Sequence, residues 1–356
     1  MQTFFRNNIK IILAIIFTTG IVFLFWININ KWTNMNYSTS KESEFLWGAT
    51  VRPYALEKTH AGYDAQKTFD QELSYLKEVN ANTVRINLES DWTLNDYMIN
   101  KINGNNFRSV VVLEESQDFN QEANYENRGY NYGKSIAERY KGKITYYQML
   151  NEVTGVTFRK ASDTGPTIDN RYGFKFDENR LKNVKDYLKG MSRAIKEYDP
   201  SAKRIISGNW ILVDSIKYLI DNGVDFETVG WNWSTGLGED ITNKKIDEGG
   251  IFNLPEIIKG WGKDLLIIEF NQDDGSYNNT EIKQAEYFQK FLFNHNNLVN
   301  LSGILVFTLT DTNEAGPTGS LGLIHITENS LDGQYMFDSK KPSFEVFKNA
   351  IKDYHN

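Results

Sequence analysis

Two apolar patterns alternate from residue 45 to the end of the chain. Short, mostly apolar runs at 45–52, 83–88, 109–114, 144–150, 204–208, 228–233, 265–270 and 303–309 have the length and β-branched content of strands. Between them, best seen at 69–79 (FDQELSYLKEV), 181–197 and 281–294, apolar residues return every three or four positions, as on an amphipathic helix. Runs such as SVVVLE and LLIIEF lack polar alternation, as expected for parallel strands covered on both faces. Eight strand-then-helix units predict an α/β chain folded as a (β/α)8 TIM barrel, which takes ~250 residues before loop insertions. A doubly wound open sheet is the alternative, but Trp47, Gly48 and Ala49 after the first run supply no Gly-x-Gly-x-x-Gly turn.

The opening residues follow neither pattern. From Ile11 to Asn30 there is no charge, and such a run spans roughly 30 Å as a helix, enough to cross the hydrocarbon of a bilayer. Arg6 and Lys10 precede it and Asn28, Asn30, Lys31 and Trp32 close it, which puts the N-terminus inside. No small-x-small cleavage site follows, so an uncleaved anchor is expected. The division read from the chain is a cytoplasmic stub and single transmembrane helix at 1–30, a polar tether at 31–44, and a barrel at 45–356 held outside the cell membrane.

Composition narrows the chemistry. The chain has no cysteine, which removes disulfides and thiolate metal sites, and its net charge of −7 argues against a nucleic-acid partner. The four histidines, His60, His295, His325 and His355, fall at no metal-binding spacing, and residues 271–279 are too short for a calcium loop, so no metal or other cofactor is expected. Oligomeric state is not readable. Aromatic residues make 14% of the chain, more flat rigid surface than a core needs, and part of it is expected to face a ligand.

A barrel carries its functional groups at the C-terminal ends of its strands. There the fourth run, ITYYQML, ends in Asn151 and Glu152, and the seventh, LLII, ends in Glu269. One strand-end glutamate is ordinarily a surface or capping group. Two of them, three strands apart on one ring, form the pair that hydrolysis of an acetal requires: one carboxyl protonated to release the leaving oxygen, one ionised to meet the oxocarbenium-like carbon.

This ordered set resembles clan A of the glycoside hydrolases, the 4/7 superfamily, in its family 5 and family 39 types. YYQMLNE is similar to the clan's strand-four motif and LLIIEF to its strand-seven motif; Arg85 in TVRINL matches the strand-two arginine, and KPSFEVFK resembles the entry to the final helix. The resemblance covers essentially residues 45–352. It implies Glu152 as acid/base, Glu269 as nucleophile, Asn151 on the sugar hydroxyl next to the reacting carbon, and Arg85 holding Glu269 ionised. The departure is at strand six, where many members have a Tyr or His against the nucleophile and this chain reads GWNWSTG, with Asn232 and Trp233. Tyr277, in the loop after Glu269, is a candidate substitute.

Further substrate-binding candidates at predicted strand ends are Trp47, Arg52, Asn87, Trp92, Asn209 and Trp210, with Glu114, Glu115 and Asp311 as weaker ones. The long connection 153–178, with 237–250 and 313–320, is expected to wall a cleft over a chain-like substrate. The expected function is a membrane-anchored retaining glycosidase, endo-acting on an extracellular or cell-envelope polysaccharide. A non-catalytic carbohydrate-binding barrel and a transglycosylase using the same two glutamates are the alternatives.

Overall fold

The computed structural model describes residues 45–354 except 54–63, 114–118, 121–122, 162, 164, 170–172, 247–249, 296–297, 299 and 329–334. Eight strands, β1 (Leu46–Thr50), β2 (Thr83–Asn87), β3 (Arg108–Leu113), β4 (Tyr146–Met149), β5 (Lys203–Asn209), β6 (Thr228–Ser234), β7 (Asp264–Asn271) and β8 (Leu301–Val306), pair in chain order. Every pairing is parallel, and β8 closes on β1 with Trp47 level with Ile304 and Ala49 level with Val306. The ring is therefore the predicted barrel, and the open sheet is excluded.

A parallel connection has to cross the face of the sheet, and a helix follows each strand here. These are α1 (Ala65–Glu78), α2 (Trp92–Gly104), α3 (Tyr125–Arg139), α4 (Glu178–Tyr198), α5 (Val213–Asp221), α6 (Leu254–Lys259), α7 (Glu281–His295) and α8 (Pro342–Tyr354). Asp64, Asp91, Asn124, Asp177 and Asn253 stop the preceding loops by accepting backbone N–H groups in the first turns of α1, α2, α3, α4 and α6. In α4, Leu181, Val184, Leu188, Met191 and Ile195 bury one stripe against the barrel.

Inside the ring the side chains obey the period of two. Leu46, Val110, Tyr146, Ile205, Leu266, Ile268 and Leu305 form an inner apolar cluster separate from the larger core between strands and helices. Gly230 and Gly303 make room for it: a Cβ would sit 2.8 Å from Ile268 Cδ1 at the first and 2.4 Å from Leu46 Cβ at the second. Toward the C-terminal ends of the strands the inward positions turn polar, with Thr50, Arg85, Gln148, Ser207 and Asn232. That polar layer is the floor of the site.

The predicted walls contain structure of their own. The connection after β4 opens with a one-turn helix, Val153–Thr157, and holds an antiparallel hairpin of Thr167–Asp169 with Lys175–Asp177. A small hairpin, Lys244–Lys245 with Ile251–Phe252, follows β6. After β8 come a short turn, Pro317–Ser320, and the hairpin Ile324–Glu328 with Tyr335–Lys340. Among the described residues no helix is long and apolar enough to cross a membrane. The expected anchor at 11–30 and tether at 31–44 lie outside them, as do Glu114 and Glu115.

Candidate active site

Arg85, on β2 and only 1% exposed, organises the floor. Its Nε donates to Gln148 Oε1 at 2.9 Å, Nη1 to Thr50 Oγ1 at 3.0 Å and Nη2 to Asn151 Oδ1 at 3.3 Å, while Nη2 pairs with Glu269 Oε1 at 2.7 Å. A guanidinium this buried is tolerated because its fork of donors is occupied by acceptors from β1, β4, the end of β4 and β7. Gln148 Nε2 donates in turn to Asn151 Oδ1 at 2.9 Å and Ser207 Oγ at 3.1 Å.

Beyond β4 the chain makes a turn that positions Glu152. Leu150 (φ 66°) and Glu152 (φ 46°) both take left-handed backbone, unusual for residues with a side chain and costing of order 1 kcal/mol each. Ser207 on β5 holds the turn by donating to the Leu150 carbonyl at 3.3 Å and accepting from the Glu152 backbone N–H at 3.0 Å. The predicted strand to Leu150 therefore ends at Met149, and Glu152 is swung over the barrel mouth.

Glu269 reaches the same mouth by a different device. Strict alternation along β7 would send it outward, because Leu266 and Ile268 belong to the inner cluster. Against β6, however, Ile267 is level with Trp231 and Glu269 with Asn232, so Ile268 is an extra residue. This bulge turns Glu269 inward while Phe270 faces α7, with ring centroids 4.7 Å from Phe288 and 4.3 Å from Phe291.

Asn232, inward on β6, joins the two acids. Its Nδ2 donates to Glu152 Oε1 at 2.7 Å and to Glu269 Oε2 at 2.8 Å. Two sides of that length cap the separation of the two carboxylate oxygens at about 5.5 Å. Burial pushes the Glu269 carboxyl above its ordinary range; the Arg85 charge opposes this, the Glu152 carboxyl reinforces it, and hydrogen bonds from Arg85 and Asn151 oppose it again.

A cavity of ≈ 270 Å³ opens above the pair, lined by Glu152, Asn209, Trp210, Asn232, Trp233, Ser234, Leu237, Glu269, Asn271, Gln272, Asp273, Phe307 and Leu321. It is close to the lower end of the ~300 to 1,000 Å³ typical of ligand pockets. Asn209, at the end of β5, is held through the Thr154 hydroxyl, to which its backbone N–H donates at 3.1 Å. Trp210 follows in left-handed backbone (φ 54°), its carbonyl accepting from Trp231 Nε1 at 3.1 Å, and 42% of it is exposed.

Other predicted site residues are placed elsewhere. Trp47 is a correction: it stands near the N-terminal end of β1, points outward, and is buried against Phe45, Phe347 and Tyr354. Trp233 touches the cavity wall but is fully buried, with Nε1 on the Gly238 carbonyl and its ring stacked on Phe252, because the alternation that brings Asn232 inward turns it outward. Trp92, the first residue of α2, lies under the Arg139 guanidinium, 5.1 Å from its ring centroid. Arg52 pairs with Glu314 at 2.9 Å, and Asn87 and Tyr277 do not line the cavity. Asp311 is bound by buried Lys341 and contributes no group to the cavity.

Some lining residues escaped sequence reading. Asn271 closes β7, Gln272 and Asp273 directly follow it, and Phe307 directly follows β8; position at a strand end was the available signal. Asn271 Nδ2 donates to the Phe307 and Leu321 carbonyls, lacing the loops after β7 and β8 together.

The barrel is similar to that of a family 1 β-glucosidase from Thermotoga maritima solved with isofagomine lactam, at TM-score 0.58 and 12% identity over 88% of this chain and 98% of that one. It is also similar to xylanase 10B from Thermotoga maritima, at TM-score 0.59 and 16% identity over 88% of this chain and 96% of that one. At such identities the likeness is one of fold. No family model matches the sequence, and no curated protein matches it.

Proposed function

We propose that this chain is a retaining O-glycosyl hydrolase of the clan A type, with Glu269 as nucleophile and Glu152 as acid/base. The observation that carries the reading is the shared Asn232 amide, which keeps the two carboxylate oxygens within about 5.5 Å. That upper bound is compatible with the ~5 to 5.5 Å of retaining enzymes and lies below the ~6.5 to 9.5 Å that separates the carboxyls of inverting ones. The fold neighbours support it, since the two named above are a β-glucosidase and a xylanase.

In this mechanism Glu269 attacks the anomeric carbon as Glu152 gives its proton to the departing glycosidic oxygen, leaving a glycosyl ester on Glu269. Glu152, now a carboxylate, takes a proton from water, whose oxygen attacks the same carbon and releases Glu269. Arg85 offsets the burial of the nucleophile's charge. With its Oδ1 taken by Arg85 and Gln148, Asn151 presents its amide N–H groups toward Glu269 and the sugar.

The hairpins in the connections after β4, β6 and β8 support a walled cleft and endo action on a polysaccharide. The uncharged run at 11–30 supports a barrel tethered to the outer face of the cell membrane. The test is to incubate the protein with a panel of polysaccharides, recording product lengths and the anomeric configuration of the first product. Turnover with retention, lost in Glu269→Gln, is expected; inversion, or no turnover of any glycan, overturns the reading. Products longer than the starting chain would identify transglycosylation.

A further inference from the structure

Among the described residues, three carboxylates line the cavity, Glu152, Glu269 and Asp273, and no Lys, Arg or His does. Arg85 lies behind Glu269 with its donors engaged. Two amide acceptors, Gln272 Oε1 and Asn232 Oδ1, are buried without a partner, and Gln272 as a whole is only 8% exposed. The Asn232 and Asn271 amide donors are already committed, the first to the two glutamates and the second to the Phe307 and Leu321 carbonyls. Unpaired buried acceptors call for donors from the ligand. A hydroxyl brings as many acceptor sites as donors or more; an ammonium brings three donors and no acceptor.

One side of the cavity is shaped for such a group. Gly236 donates its N–H to Asp273 Oδ2 at 2.7 Å, and the Asp273 N–H donates to Thr235 Oγ1 at 3.0 Å, so the carboxylate is fixed. A Cβ on Gly236 would lie 3.2 Å from that oxygen and 3.4 Å from Trp210 Cζ3. The exposed indole and the carboxylate thus meet at a residue with no side chain. A fixed negative charge beside an exposed indole can pair with an ammonium while the indole packs on the apolar face of a ring.

We propose that this cavity is a subsite for an amino sugar carrying a free, protonated amine. Trp210 takes the apolar face of the ring, Asp273 takes the ammonium, and Gln272 Oε1 accepts a further N–H or O–H. The assignment of the substrate class rests on the glycosidase reading, but the recognition it describes can be tested without turnover.

The experiment measures binding to the full chain in detergent micelles, carrying Glu152→Gln to suppress cleavage, at roughly pH 6, where exposed carboxylates are ionised. The probes are β-1,4-linked hexamers of glucosamine, N-acetylglucosamine and glucose. The glucosamine hexamer is expected to bind about tenfold tighter than the other two. Asp273→Asn should erase that preference, whereas Trp210→Ala should weaken all three. Equal affinities overturn the proposal. So does a preference that survives in Asp273→Asn, which would belong to the net charge of −7 and not to this site. If the preference holds but the wild-type protein cleaves no glycan, the hydrolase reading falls and the subsite stands; cleavage of glycans without the preference has the opposite result.

Discussion

Asn232 and Glu269 are register partners on neighbouring strands, and the amide nitrogen of the first lies 2.8 Å from a carboxylate oxygen of the second. The same nitrogen serves Glu152, so one amide holds both acids. Donation to a carboxylate favours its ionised form. Asn232→Ala removes that support from Glu269, whose carboxyl burial already pushes up. Because the proposed attack needs Glu269 ionised, the acidic limb of kcat/KM should move to higher pH, with a loss of roughly ten- to hundredfold at the optimum. A pH–rate profile of the variant checks this; an unmoved limb at full activity would remove Asn232 from the pair.

The two glutamates should fail differently. Glu269→Gln removes the proposed nucleophile and is expected to abolish turnover of every substrate with the fold intact by circular dichroism. Glu152→Gln removes the proposed proton donor, which matters least when the leaving group departs unaided. Aryl glycosides with good leaving groups should therefore retain far more of their rate than natural glycans. Equal losses on both substrates would count against the acid role.

A buried acid away from the reaction makes stability depend on pH. Glu72 in α1 is 1% exposed; its Oε1 accepts from the Thr310 hydroxyl at 3.2 Å, and Oε2 has no partner. Desolvation pushes its carboxyl up from 4.5 to about 8, against the hydrogen bonds from Thr310 and the Arg52 backbone. The folded form thus keeps a proton that the unfolded chain releases. This contribution is fully present below pH 4.5 and is lost as the pH rises to about 8. Glu72→Gln should be nearly neutral at the acid end and stabilising by about 2 to 5 kcal/mol at the alkaline end, measured by urea unfolding at both. A constant difference at the two ends would rule out titration of Glu72 as the cause.

The eight strands and the meeting of Glu152 and Glu269 at one mouth were legible because apolar runs with period two or none, separated by helical periods, leave little choice of fold, and because a Glu closing an apolar run is costly without a purpose. What stayed hidden depends on geometry that exists only once strands pair. The bulge at Ile268 is a property of the β6–β7 ladder, and no pattern in LLIIEF announces it. The left-handed turn at Leu150 to Glu152 relies on Ser207, more than fifty positions along the chain. Trp47 was misjudged because the first run was read by its polar end, whereas Trp47 lies near the strand's beginning, facing the rings of α8. Trp233 lines the cavity only as a buried ring: once Asn232 points in, its neighbour turns outward.

The wall of the cavity rests on a buried ion pair. Lys341 Nζ, with no exposed side-chain surface, donates to Asp311 Oδ1 at 2.6 Å, to Ser276 Oγ at 2.6 Å and to the Ser320 carbonyl at 3.0 Å. Asp311 Oδ1 also accepts from the Gly322 N–H at 2.9 Å, and its Oδ2 faces His325 Nδ1 at 3.1 Å. These bonds tie the loop after β7, the loop after β8 and the start of α8 around Leu321, which lines the cavity. Burial pushes the Asp311 carboxyl up and the Lys341 ammonium down, and each charge opposes the shift of the other. Asp311→Asn leaves that ammonium without its counter-charge and should cost about 3 to 5 kcal/mol in urea unfolding. Replacing both partners together, Asp311→Leu with Lys341→Met, removes the uncompensated charge and should recover most of that loss. The double variant should still lose turnover, because the bonds that place Ser320 and Gly322 on either side of Leu321 are gone. A double variant that regains stability and also keeps wild-type kcat/KM would show that the cavity wall does not depend on this pair.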